Sequence, residues 1–235
     1  MLGWKTRASW RAGSLATFLV VIGAACGTSV QESTEYRGVL LEPGGRPEFR
    51  LADVNGEPYS FRKETEDQLA LLFFGYTHCP DICPVHMAGI AAVLRDLPWA
   101  VRDRIRVVFV STDPERDTPE RLQEWLGGFD PSFIGLRGEM DEVNRIQAEL
   151  GLPTTVRTED PADGGAAYEV GHAAQVLVFG ADGVRLAYPF GTRQADWKRD
   201  LPLLVSRLPP VDGEGEAGAR RPAPNPNRGC SPKPA

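Results

Sequence analysis

Phe73-Phe74-Gly75-Tyr76-Thr77-His78-Cys79-Pro80-Asp81-Ile82-Cys83-Pro84 is the stretch on which the reading of this chain turns. An apolar run ends in Gly-Tyr-Thr, two thiols follow, and a helical pattern begins at Val85. That is a strand-to-helix turn with sulfur at its tip. Such a turn either exchanges disulfides or holds a soft metal through two thiolates. Positions i and i+4 of a helix share a face, which lets the two sulfurs converge. Convergence also permits a disulfide, so the spacing leaves both chemistries open. The free N–H groups at the start of the following helix favour thiolate over thiol. Three residues separate the cysteines, against the two of ordinary disulfide oxidoreductases, and this favours a metal. A pair of inert core thiols is the bland alternative, but a turn punctuated by Gly and Pro is a poor place for one.

Outward from this turn the pattern alternates strand and helix. Leu69 to Phe74 is continuously apolar, as a buried central strand should be, and Ile105 to Val110 is a second such run. Before them, Val39 to Leu41, Phe49 to Val54 and Tyr59 to Phe61 read as β, with Asn55-Gly56 as a turn. Val85 to Leu97 reads as a helix. Thr118-Pro119 starts another, running to Leu126 before Gly127-Gly128. Phe133 to Leu136 is a short strand, and Asp141 to Leu150 is a helix ended by Gly151. Gln175 to Phe179 and Arg185 to Tyr188 flank Ala181-Asp182-Gly183 as a hairpin, and Trp197 to Leu208 closes with an amphipathic helix. The order predicts an α/β, thioredoxin-like three-layer sandwich with an N-terminal β extension. Functional loops of such sheets gather at the carboxyl ends of the parallel strands. Two loops qualify: the cysteine turn, and Ser111-Thr112-Asp113-Pro114-Glu115-Arg116-Asp117-Thr118-Pro119.

The ends of the chain read differently. Lys5, Arg7 and Arg11 precede an apolar, small-residue run from Leu15 to Ala25, with no acid before Cys26. This is the pattern of a secretory signal, short for a membrane span. Gly23-Ala24-Ala25-Cys26 is similar to a bacterial lipobox, with Cys26 as the lipidated residue, although Gly23 stands where an aliphatic residue is usual. Cleavage without lipid, or an uncleaved anchor, stays open. The expected organisation is an anchor segment over residues 1–26, a linker over 27–35, a folded domain over 36–208, and a Pro- and Gly-rich tail over 209–235 that carries Cys230. The expected setting is the periplasmic face of a bacterial cytoplasmic membrane. A formal charge of −6, with no Lys/Arg cluster, argues against a nucleic-acid partner. Four cysteines in 235 residues are too few for a disulfide framework. A monomer is expected.

The chain has three histidines. His78 adjoins Cys79 and points off the shared face; His86 lies one turn past Cys83. Both read as partly exposed or supporting residues. His172, in Tyr168-Glu169-Val170-Gly171-His172-Ala173-Ala174-Gln175, precedes a strand, and a thioredoxin topology packs that loop against the cysteine turn. Two thiolates hold Cu(I), and a neutral imidazole as third donor extends the site to Cu(II).

These segments together resemble the Sco/SenC family of copper-binding thioredoxin-fold proteins. The resemblance rests on Phe74 to Pro84, on Ser111 to Pro119 and on Tyr168 to His172, in family order, and covers most of residues 36–208. Members often carry Asp-His-Ser where this chain has Gly171-His172-Ala173. The resemblance implies one copper ion held by Cys79, Cys83 and His172. It also implies delivery of copper to, or reduction of the thiols of, the binuclear copper site of cytochrome c oxidase subunit II. Asp113 and Asp117 are too hard as donors for copper. Both read either as caps of the loop and the next helix or as docking or supporting groups beside the site; the cap is favoured for Asp117, and neither reading for Asp113. One rival is a thiol–disulfide oxidoreductase in which Cys79 attacks and Cys83 resolves. Others are a zinc site and a peroxidase; the sequence around Cys79 does not match the peroxidase pattern.

Overall fold

The computed structural model describes residues 36–159 and 168–210. Its centre is a sheet of eight strands in the order β1-β10-β9-β4-β5-β6-β2-β3. β4 (Leu69–Gly75) is buried along its whole length and pairs in parallel with β5 (Ile105–Ser111). β5 in turn pairs in parallel with β6 (Ile134–Arg137). On the other side, β9 (Val176–Phe179) lies antiparallel to β4 and is followed by β10 (Arg185–Tyr188) and β1 (Val39–Leu40).

The unbroken apolar character of β4 follows from helices on both faces. Leu69, Leu71 and Phe73 face a core with Met87, Ile90 and Leu94 of α2 (Ile82–Asp96), Leu122 and Leu126 of α4 (Pro119–Gly127), and Trp197 and Leu201 of α6 (Gln194–Val205). Ala70, Leu72 and Phe74 point the other way, towards Val143 and Ile146 of α5 (Met140–Glu149) and Phe61 of α1 (Phe61–Glu64). This is the three-layer α/β sandwich expected. Full burial of a side chain the size of Phe73 is worth about 1.5–3 kcal/mol. β2 (Arg50–Asp53) and β3 (Pro58–Ser60) form the N-terminal β extension, a hairpin turning at Asn55-Gly56, with Gly56 at φ 80°. The β9–β10 hairpin turns through Asp182 and Gly183, both with positive φ.

Four features differ from the pattern in the sequence. α2 starts at Ile82, not Val85, because Pro84 falls in the first turn, where no N–H partner is needed. Cys79 therefore precedes the helix, and the two sulfurs meet across the turn and not along a helix face. α6 starts at Gln194 and carries Pro202 inside it, ending at Val205. α1 and α3 (Trp99–Arg102) are single turns, too short to leave a period. Finally, β7 (Val156–Glu159) and β8 (Tyr168–Gly171) form a separate antiparallel hairpin. Only Val170 of β8 is buried, so no apolar run announces the strand.

The N-terminal end of the described chain is fastened by Asp200 of α6. Its carboxylate accepts the Arg37 and Gly38 amides and, at 2.8 Å, the Tyr188 hydroxyl. No helix among the described residues is long and apolar enough to cross a membrane. Cys26 and Cys230 lie outside the described residues, as do the anchor segment, the linker and nearly all of the tail.

Candidate metal centre

β4 ends at Gly75, and the place a β-carbon would take there is filled. It would stand 2.7 Å from Cys83 Sγ, 2.9 Å from Phe73 and 3.1 Å from Phe109. A residue without a side chain thus lets the Cys83 sulfur lie against the end of the sheet. The chain then turns, with the Cys79 amide donating to the Tyr76 carbonyl at 3.2 Å. Cys79 is half-buried and Cys83 fully buried, and both are free thiols. The first turn of α2 aims the Cys83 amide at Cys79 Sγ, 3.4 Å away.

His172 follows directly after β8 and brings Nε2 to 3.4 Å from Cys83 Sγ and 3.9 Å from Cys79 Sγ. One donor atom from each of the three residues lies within 4.8 Å of the others. The imidazole is oriented. Its Nδ1 lies 2.9 Å from the Ala173 carbonyl, which can only accept. Nδ1 therefore carries the proton, and the Nε2 lone pair faces the sulfurs. Phe73 and Tyr76 meet the imidazole ring edge-on, at 5.8 and 5.6 Å between centroids. The backbone carbonyl does the orienting that a polar neighbour would otherwise do at this position.

The two thiols are unequal. A hydrogen bond from the Cys83 thiol lowers the pKa of Cys79 to about 4, against the opposing effect of burial, with help from the Cys83 and Asp81 amides. Burial pushes Cys83 the other way, and its bond to Cys79 adds to this. Cys79 thus favours the thiolate, and Cys83 keeps its proton. Two soft sulfurs and one borderline nitrogen form a donor set for a soft or intermediate metal.

The loop Ser111 to Pro119 holds both halves of the centre. Asp117, wholly buried, accepts the Thr77 amide at 3.1 and 3.2 Å, the Thr77 hydroxyl at 2.6 Å and the Ser111 hydroxyl at 2.7 Å. Its carboxylate does not cap α4; the N-cap is the residue that the Thr118-Pro119 pattern predicts. Thr118 accepts the Arg121 amide at 3.2 Å. Asp117 is better spent on Thr77, whose buried amide has no strand partner once β4 has ended. Asp113, also buried, accepts the Tyr168 hydroxyl at 2.8 Å and pairs with Arg116. The guanidiniums of Arg116 and Arg157 lie 3.7 and 4.0 Å from the centre of the Tyr168 ring. One carboxylate steadies the cysteine turn, and the other steadies the hairpin that ends in His172.

The other two histidines are not donors to this cluster. His78 is largely exposed, with Nδ1 3.2 Å from the Thr77 hydroxyl. His86 is not partly exposed but buried, 7% accessible, with Nε2 2.9 Å from the Ala174 carbonyl. The apolar stripe Cys83, Met87, Ile90, Leu94 on α2 is the signal that would have placed His86 inward.

Residues 42–201 match the family model SCO1/SenC. A putative copper-binding protein of Stutzerimonas stutzeri is 37% identical over 151 residues, covering 63% of this chain and 72% of that one. The mitochondrial protein SCO2 of Saccharomyces cerevisiae is 38% identical over 98 residues, 42% of this chain, and the match spans only 32% of that protein. Among solved structures, Bradyrhizobium japonicum ScoI with copper bound is 29% identical with a TM-score of 0.58, covering 68% of this chain and 99% of that one. Apo Sco1 of Thermus thermophilus is 30% identical with a TM-score of 0.64, covering 72% and 96%.

Proposed function

The chain belongs to the SCO1/SenC family, and from that premise we propose that Cys79, Cys83 and His172 hold one copper ion as cargo. The observation that carries the reading is the convergence of two sulfurs and an unprotonated imidazole nitrogen, supplied by a turn, a helix and a hairpin. Two thiolates and an imidazole hold copper while leaving a coordination position free. A thiol or imidazole of the acceptor enters there, and the protein's ligands leave one at a time. Half-exposed Cys79 lies on the open side of that exchange, and buried Cys83 keeps hold until last. The acceptor in this reading is the binuclear copper site of cytochrome c oxidase subunit II. The protein works outside the cytoplasm, tethered to the membrane by lipid on Cys26.

The inequality of the thiols favours a second reading of the same turn. Cys79 as thiolate attacks a target disulfide sulfur; its S–S bond breaks, a mixed disulfide forms and one target thiolate leaves. Cys83 then loses its proton and attacks Cys79 Sγ, releasing the second target thiol and leaving Cys79–Cys83 oxidised. This would keep the acceptor's cysteines reduced for copper. Titration of the reduced protein with Cu(I) and Cu(II), read by absorption and EPR, tests the first reading. One equivalent of Cu(II) with sulfur charge-transfer bands, lost on Cys79→Ser, Cys83→Ser or His172→Ala, is the expected result. Failure to hold either ion while disulfide exchange proceeds would leave only the second.

A further inference from the structure

We propose that His86 is a positioning residue of the metal centre: it fastens the His172 loop to the helix that carries Cys83. The proposal rests on the copper reading for its consequence, but its geometry stands in the protein alone. His86 lies one turn beyond Cys83 on α2. Its Nε2 is 2.9 Å from the carbonyl of Ala174, two residues beyond His172. A carbonyl only accepts, so Nε2 carries the hydrogen and donates. Burial disfavours the imidazolium, leaving a neutral ring with its hydrogen on Nε2.

The ring is held in place. It packs against Phe73 at 5.0 Å and meets the half-exposed Phe190 edge-on at 5.5 Å. Phe73 also meets His172, at 5.8 Å, so one aromatic side chain of β4 sets the position of both imidazoles. The consecutive carbonyls of Ala173 and Ala174 each accept from an imidazole, the first from His172 itself and the second from His86. The first bond fixes which nitrogen of His172 faces the sulfurs. The second fixes where the loop sits relative to Cys83. From Tyr168 to Gln175 the buried side chains are Val170 and the small Ala173, which leaves the loop few large apolar holds. The fastening at Tyr168 acts four residues before the ligand, and the one at Ala174 two residues after it. The imidazole is thereby gripped from both sides along the chain.

The roles of ring packing and hydrogen-bond donor separate in two variants. His86→Phe keeps an aromatic ring and removes the donor. His86→Gln restores an N–H near the same place. In the metal-free protein, amide hydrogen exchange at residues 173–176 should quicken in His86→Phe and return towards native in His86→Gln. In the copper titration, His86→Phe should weaken Cu(II) about tenfold, the usual cost of losing a ligand's support. It should also shift the sulfur charge-transfer bands and leave Cu(I), held by the two thiolates, nearly unchanged. His86→Gln should recover the native bands. Native exchange rates in His86→Phe, or faster exchange that His86→Gln does not reverse, would overturn the proposal. If the native protein takes up no copper, the copper reading fails, and the exchange rates alone decide on His86.

Discussion

Thr77 gives both its amide and its hydroxyl to one carboxylate, that of Asp117, forty residues further along the chain. The bond spans from the end of β4 to the loop after β5, at the point where the strand ladder has run out. Asp117→Ala leaves the Thr77 amide and the Thr77 and Ser111 hydroxyls without their acceptor in a buried place. The expected loss is about 2–4 kcal/mol, since each orphaned buried group costs about 1–3 and some relaxation offsets the sum. For a domain of this size that is roughly 5–15 °C in Tm. Calorimetry of the metal-free protein measures it. An unchanged melting temperature would remove Asp117 from the support of the cysteine turn.

Reactivity should separate the two thiols. Cys79, lowered to about 4, is thiolate from weakly acidic pH upwards. Its alkylation by iodoacetamide should therefore change little between pH 6 and 8 and fall only as pH approaches about 4. Cys83 should stay unmodified in the native protein, since it is buried with a raised pKa. The linkage runs in the same direction. A group whose pKa is lowered on folding contributes stability that is full above its ordinary value of 9.0 and is lost as pH falls through about 4. Peptide mapping after a short pulse of reagent at several pH values reads both thiols at once. Equal labelling of the two would refute the asymmetry.

Gly75→Ala should damage the centre from behind. The added methyl would meet Cys83 Sγ at 2.7 Å and Phe73 at 2.9 Å, and neither neighbour is the loose end of a flexible chain. Overpacking of this kind costs about 1–3 kcal/mol. Moving the sulfur should also weaken both Cu(I) and Cu(II), unlike loss of His172, which weakens Cu(II) most. A parallel titration of Gly75→Ala and His172→Ala distinguishes the two patterns.

Tyr168→Phe removes the hydroxyl that Asp113 accepts and leaves the ring against Arg116 and Arg157. The cost should be small, about 1 kcal/mol. Its effect should appear at His172, as faster amide exchange in β8 and a weaker grip on Cu(II). Stability lost without any change in β8 exchange would mean that Tyr168 serves the Asp113 loop alone.

The parts of this molecule that could be read from the sequence are those whose information is local. β4 and β5 announce themselves because helices cover both of their faces and every residue is apolar. The Asn55-Gly56 and Asp182-Gly183 turns are legible because positive φ selects its residues. Cys79 and Cys83 are legible as a pair, but not the way they meet, which depends on where α2 begins. His172 is different. Nothing in its own neighbourhood relates it to residues some ninety positions earlier; only the topology and the family resemblance do. Asp117 is ambiguous for the same reason, because a carboxylate just before a helix looks like a cap until its partner forty residues away is in view. His86 looks exposed when taken alone and buried when taken with the stripe it belongs to.

The grip of Asp200 on Arg37 and Gly38 has a consequence for reach. β1 runs antiparallel to β10, and β10 runs parallel to β4 because each is antiparallel to β9. The chain therefore comes onto the sheet at the end where β4 hands over to the cysteine turn. β4 lies three strand spacings across from β1, roughly 14 Å. Asp200 makes that point of entry a fixed pivot. If Cys26 is the attachment to a surface proposed above, eleven residues up to Arg37 can extend at most about 40 Å. The pivot shares its end of the domain with the thiols, so such a tether would confine the end that carries the sulfurs more tightly than the far one.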